Sequence, residues 1–291
     1  MKHRLELFAA RAVALLVRPL PMRLVRVLGH GLGRLVYYVD GWHRRIALDN
    51  LAHAFPTRSA AERARIARAT FAHLGALLLE LLRFSVYSRQ QMIAATEVEG
   101  GERVMQAYAR GKGILFFTGH FGYWEMLAVA QPLRMKPLGV LARPLDNPYL
   151  HEWLESIRTS TGNHVIYRQG AVRRVLRDLA GNGAVALLFD QHLHTPDAIY
   201  VDFFQRPAAT TSALATMALR TGATVIPAFT LPVRGGRYRV VFEHPVEPPA
   251  GDDEESIREF TQRCTDVLEM YVRRHPELWL WVHRRWRERQ A

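Results

Sequence analysis

Beyond Glu99-Gly100 the chain alternates short apolar runs with longer helical stretches. The runs read GILFF, LGVLA, HVIY, AVALLF, ATVIPAF and YRVVF, rich in Val, Ile, Leu and Phe with little alternation of polar residues. Strands buried on both faces have this character, and helices between them make the crossovers of a parallel sheet. The pattern predicts an α/β fold with a central, mostly parallel sheet flanked by helices. Upstream, helical periodicity dominates. SAAERARIARATFAHLGALLLELLRF opens on Ser59 with Glu62 three places on, a capping box. Downstream, EPPAGDDEES reads as a surface loop before a final helix from Ser256, and WLWVHRRWRERQ reads as continuous helix. No repeat, low-complexity tract or linker divides the chain.

The N-terminal pattern is different. LELFAARAVALLV, Leu5 to Val17, is apolar but holds Arg11 and stops before Arg18-Pro19. That falls short of the ~20 residues needed to cross a bilayer. It also lacks a small-residue cleavage site. MRLVRVLGHGLGRLVYYV then mixes arginines with Leu, Val and Tyr at helical spacing. Two readings stand side by side: a helix lying in the membrane interface, and an amphipathic helix packed on its own domain. Either way a membrane role is peripheral and on the cytoplasmic side. Its GHGLG follows no strand and departs from G-x-G-x-x-G, so it predicts close helix packing rather than a phosphate loop.

Charge adds to this picture. The 291 residues hold 39 Lys and Arg against 27 Asp and Glu, a formal net charge of +12. That excess favours an anionic partner such as nucleic acid, anionic lipid or an acidic carrier protein. Hydrophobic residues at 49% supply a large core, and 23% charged residues fit a globular chain. Cys264 is the one cysteine, so no intrachain disulfide forms, and it reads as a core thiol on a helix.

The candidate chemistry lies in GILFFTGHFGYWE, where Glu125 follows His120 by five places. Thirteen histidines and 27 acids in this length give roughly one such spacing by chance, and the chain has three: His120 with Glu125, His192 with Asp197, His283 with Glu288. Five residues on a continuous helix leave two side chains about 140° apart, so the pair meets only where the chain bends. Gly119 and Gly122 around His120 suit a strand, a tight turn and a helix opening near Glu125. Other apolar runs also end in polar groups: Arg143, Arg168 and Asp190. Sites in parallel sheets form at such carboxyl ends. A histidine there takes a proton from a hydroxyl, a carboxylate on its other nitrogen fixes the tautomer, and arginines hold an anion or an oxyanion. There is no G-x-S-x-G elbow and no cysteine beside a histidine, so direct attack by an activated hydroxyl is the simplest mechanism. Asp190, His192 and His194 lie close together, and histidines two apart on a strand face the same way, but a third and fourth ligand beside them are not evident, so no metal is expected. Trp279, Trp281 and Trp286, mixed with Arg284, Arg285 and Arg287, read equally as a surface for nucleic acid or lipid headgroups and as a helix with a tryptophan-filled core face.

TGHFGYWE resembles the H-x-x-x-x-[DE] motif of the bacterial lipid A biosynthesis acyltransferases of the late lauroyl/myristoyl type, within the glycerolipid acyltransferase superfamily. ALDNLAHAFP, LARPLDNPYLHEWLESIR, LLFDQ, VDFFQRPAATT and HPELWLWVHRRWR resemble further blocks in order, so the likeness covers nearly the whole chain. The N-terminal pattern sets off residues 1–40 as a membrane-associating segment, and the resemblance implies an acyltransferase domain over 41–291. It implies His120 as general base, Glu125 as its partner and Arg158 at the active site. Arg143, Asn147, Asp190 and Gln191 match cleft positions, beside the strand-end Arg168. It implies acyl carrier protein as donor, a lipid A precursor hydroxyl as acceptor, no cofactor, no nucleic acid, and a place at the cytoplasmic face of the inner membrane. A sibling enzyme acting on a phosphoglycolipid or lysophospholipid, with a coenzyme A donor, uses the same motif. A catalytically idle membrane- or nucleic-acid-binding protein is a third reading, opposed by the intact His120, Glu125 and Arg158. Where the family carries FFG, this chain has Phe203-Phe204-Gln205, which puts the local turn and the chain-length or acceptor preference in question.

Overall fold

The structure, a computed structural model, describes residues 1–193, 195 and 198–286. Four helices lead: α1 (Lys2–Val17), α2 (Met22–Val39), α3 (Gly41–Ala54) and α4 (Ala60–Phe84). Then come α5 (Arg89–Ala95), β1 (Thr96–Glu99), α6 (Gly101–Ala109), β2 (Ile114–Thr118) and α7 (Trp124–Ala130). They are followed by β3 (Leu138–Ala142), α8 (Pro148–Thr159), β4 (His164–Tyr167), α9 (Ala171–Ala180) and β5 (Ala184–Leu188). A hairpin of β6 (Ala198–Asp202) and β7 (Pro207–Thr211) precedes α10 (Ala213–Thr221), β8 (Thr224–Val233), β9 (Arg237–Phe242) and α11 (Glu254–Arg274).

Seven strands form one sheet in the order β1-β9-β8-β2-β5-β3-β4. Every neighbouring pair is parallel except β8 with β9. All six apolar runs are strands of this sheet. β2 is buried at every position because helices cover both its faces.

The GHGLG motif is where two helix backbones meet. A Cβ on Gly33 would stand 1.9 Å from the Phe71 carbonyl oxygen, and one on Gly29 would stand 2.5 Å from Ala76 Cα. Even Gly33→Ala must therefore push α2 off α4. Thermal denaturation should show a loss of about 1–3 kcal/mol, and an unchanged Tm would place the helix contact elsewhere. The same interface buries Glu80 completely. Arg26 of α2 binds it through two nitrogens at 2.7 and 2.8 Å, Tyr123 donates at 2.9 Å, and the Tyr238 hydroxyl donates as well. Burial and the Glu80 charge push the Tyr123 phenol well above its ordinary pKa, so it stays a donor. One carboxylate thus joins α2, α4, β9 and the turn leading into α7. The opposite side of α1 and α2 leaves Phe8, Leu15, Leu16, Val27, Leu35 and Val39 exposed. No described helix is long and apolar enough to cross a membrane.

The C-terminal segment departs from expectation. α11 starts at Glu254 on an Asp253 cap, two residues before Ser256. Residues 279–286 are not helical. After a single 3-10 turn, Trp279 bridges antiparallel to Phe121. The Gly122 amide donates to the Leu278 carbonyl and the Leu280 amide to that of His120. Tertiary pairing takes the backbone groups a helix would have used. Asn50 fixes the segment further by donating to the carbonyls of Trp281 and His283. Trp279 and Trp281 fill core space, and Cys264 is a buried thiol of α11, as the sequence suggested. His194, Asp197, Arg287 and Glu288 lie outside the described residues.

Candidate functional site

The register of two neighbouring strands builds the centre. Thr118 of β2 pairs with Leu188 of β5. Two residues past each partner the chain carries His120 and Asp190, so the sheet delivers imidazole and carboxylate side by side. His120 Nδ1 lies 2.8 Å from Asp190 Oδ1, and the His120 amide donates to Oδ2 at 2.7 Å. Trp279 Nε1 donates to the same Oδ2 at 2.8 Å. Gly122, at φ +59°, turns the chain toward α7, where a Cβ would meet the Thr230 carbonyl oxygen at 2.1 Å.

Asp190 is buried. Burial raises its pKa, but the charge of His120 and the donors of His120 and Trp279 outweigh this and hold it below the ordinary carboxylate value. Burial likewise pulls the His120 pKa down. The charge and hydrogen bond of Asp190, with a further contribution from the charge of Glu125, reverse the sign and leave it raised. With Nδ1 committed to Asp190, Nε2 is the nitrogen left for proton transfer. It sits 3.5 Å from the Gln191 side-chain nitrogen and lies in the wall of a cavity.

This corrects the expected pairing. Glu125 does not bind the imidazole. It stands in the first turn of α7 and faces Arg158 of α8, whose Nε and Nη2 hold its two oxygens at 2.8 and 2.5 Å. Both carboxylate oxygens are engaged by this fork, and Nδ1 is already taken by Asp190. Burial lowers the Arg158 pKa, and the Glu125 hydrogen bonds and charge more than restore it, so it rises. Asn147 is also displaced from its expected role. It caps α8 by accepting from the Tyr149 and Leu150 amides and ties down α1 through the His3 carbonyl and Glu6, away from the cavity wall. Asp190 stands behind His120 and does not line the cavity. Arg143, Arg168 and Gln191 do line it, the two arginines exposed at its mouth. Phe203, Phe204 and Gln205 are not part of the wall.

The cavity encloses about 760 Å³ and is mostly apolar. Its floor is one face of the sheet: Val140, Ala186, Phe116, Ala228 and Phe242. Its roof is the stripe Trp124, Leu127, Ala128 and Gln131 along α7 and the turn after it. Alanines stand where larger residues would close the space. Trp279 and this apolar wall were not foreseen as site features, because only the assembled sheet shows which strand residues share a face.

The FFQ departure has a local explanation. Phe204 and Gln205 have φ of +56° and +58° in the β6–β7 turn. This left-handed region costs a residue with a Cβ about 1–2 kcal/mol. Gln205→Gly should raise stability by about 1 kcal/mol in denaturant titration; a loss instead would mean that the glutamine side chain holds the turn.

A histidine held by a buried carboxylate thus opens on a mostly apolar cavity, with Arg143, Arg158 and Arg168 in its wall, at the strand ends of an α/β fold. The model of the bacterial lipid A biosynthesis acyltransferase family matches residues 2–288, and the chain belongs to that family. It is 28% identical over 279 residues to a lipid A biosynthesis lauroyltransferase of Escherichia coli K12, covering 94% of this chain and 89% of that one. It is 24% identical over 272 residues to a palmitoleoyltransferase of the same pathway in that organism, covering 93% and 87%. A phosphatidylinositol mannoside acyltransferase of Mycobacterium tuberculosis is 25% identical over 194 residues, 65% of this chain and 59% of that one. The protein is therefore an acyltransferase acting on lipid.

Proposed function

We propose that the enzyme moves a fatty acyl group from an acyl carrier protein thioester to a hydroxyl of a lipid A precursor at the cytoplasmic face of the inner membrane. The observation that carries this reading is His120, tied through Nδ1 to buried Asp190, at the wall of an apolar cavity large enough for an acyl chain. The acceptor hydroxyl gives its proton to His120 Nε2, and the oxygen attacks the thioester carbonyl. Asp190 steadies the imidazolium that forms. The Glu125 fork uses Nε and Nη2 of Arg158, leaving Nη1 to meet the oxyanion. The tetrahedral intermediate then collapses, the C–S bond breaks, and the thiolate leaves with the proton from His120.

The charge of +12 and the exposed Arg143, Arg168, Arg173, Arg174 and Arg177 support an acidic carrier as donor. The exposed apolar residues of α1 and α2 support seating on a membrane. The test is direct: incubate the protein with acyl-carrier and acyl-coenzyme A donors and candidate lipids, and identify products by mass. Acylated lipid A precursor from the carrier donor, with turnover falling as salt rises, is the expected result. The mycobacterial relative supports a second reading, a different glycolipid acceptor, which the same assay would reveal as another product.

A further inference from the structure

The inner end of the cavity contains a polar group that acyl transfer does not use. Gln131 follows α7 directly and is 4% exposed. It lines the cavity, yet its side-chain oxygen has no hydrogen-bond partner, and its nitrogen makes only a long contact of 3.8 Å with Met135 Sδ. Among the described residues, no other buried unpartnered side-chain atom belongs to a residue of the cavity wall. Gln131 follows Trp124, the first residue of α7, by seven positions, about 10 Å along a helix. Leu138, level with Ile114 at the far end of the sheet from His120, lines the cavity too. Leu138 lies four strand residues below the rim, roughly 13 Å down.

A plain hydrocarbon chain reaching this depth leaves the carboxamide unpaired, which costs free energy inside a protein. An ordered water is a poor substitute, because it needs several polar partners and the surrounding wall is apolar. A hydroxyl on the chain removes both deficits: it pays no desolvation penalty without return, and it pairs the amide whichever way its oxygen and nitrogen lie. Resting on the reading that this cavity holds the acyl group, we infer that Gln131 is a specificity residue selecting an acyl chain with a hydroxyl at one position along its length.

The test uses fatty acids of one length, plain or with a single hydroxyl at successive positions. Their binding to the wild-type protein and to Gln131→Leu is measured by calorimetry. In the wild type, one hydroxyl position should bind roughly tenfold or more tighter than the plain acid. Gln131→Leu should abolish that preference and bind the plain acid more tightly than wild type does. Equal affinities across the wild-type series overturn the inference, whether or not Gln131→Leu folds. The same chains, presented as carrier and coenzyme A thioesters, separate this claim from the functional one. Transfer without hydroxyl preference overturns the role of Gln131. Hydroxyl preference in binding, with no transfer from any donor, leaves the subsite standing and overturns the proposed function.

Discussion

Asp190→Asn lowers kcat by about three to four orders of magnitude while leaving the fold intact. The carboxylate fixes the imidazole tautomer and steadies its protonated form, and an amide does neither. His120→Ala costs at least as much, and the double variant little more, because the two act as one unit. A pH profile checks the same pair. As the proposed base, His120 must be neutral to accept a proton, and its folded pKa is raised, so the acid limb of kcat/KM should fall at a pH above the ordinary histidine value of about 6.5. The linked stability has the opposite sense. The charged pair stabilises the fold fully below the unfolded histidine pKa, and the contribution is lost as pH rises through the folded one. A wild-type rate for Asp190→Asn would show that the base is elsewhere.

Glu125→Gln is expected to damage stability as well as rate. The pair it breaks is largely buried, with side chains 13% and 12% exposed for Glu125 and Arg158. Removing one member leaves an uncompensated charge at a cost of about 3 kcal/mol or more. In the proposed mechanism the freed guanidinium also loses its fixed aim at the oxyanion, so kcat is expected to fall by about a hundredfold. Pairing Glu125→Gln with Arg158→Met separates the two effects: Tm returns toward wild type because no lone charge remains, while activity stays low. If Glu125→Gln melts at the wild-type temperature, the ion pair is not a structural brace.

Features set by local patterning were legible in the sequence, and those set by long-range pairing were not. The six central strands were legible because a strand covered on both faces has no room for polar residues. β1, reading Thr-Glu-Val-Glu at the sheet edge, has no such signature, and neither does the partly exposed β6. His120 and Asp190 were both visible as polar ends of apolar runs. Their partnership was not, because five residues of spacing drew attention to Glu125 while the true contact spans seventy. Only the alignment of β2 with β5 brings those positions together. Residues 279–286 carry a helical spacing but are not helical for a similar reason, since periodicity does not register backbone pairing with Phe121 and His120.

Trp279 donates to Asp190 across 89 residues of chain, from beyond α11. The order of synthesis matters as a result. A ribosome halted after β9 has already made His120, Asp190, Glu125 and Arg158, but the nascent polypeptide lacks the indole that closes over the acid. Acyl transfer should therefore emerge late in translation, well after the sheet itself has begun to assemble.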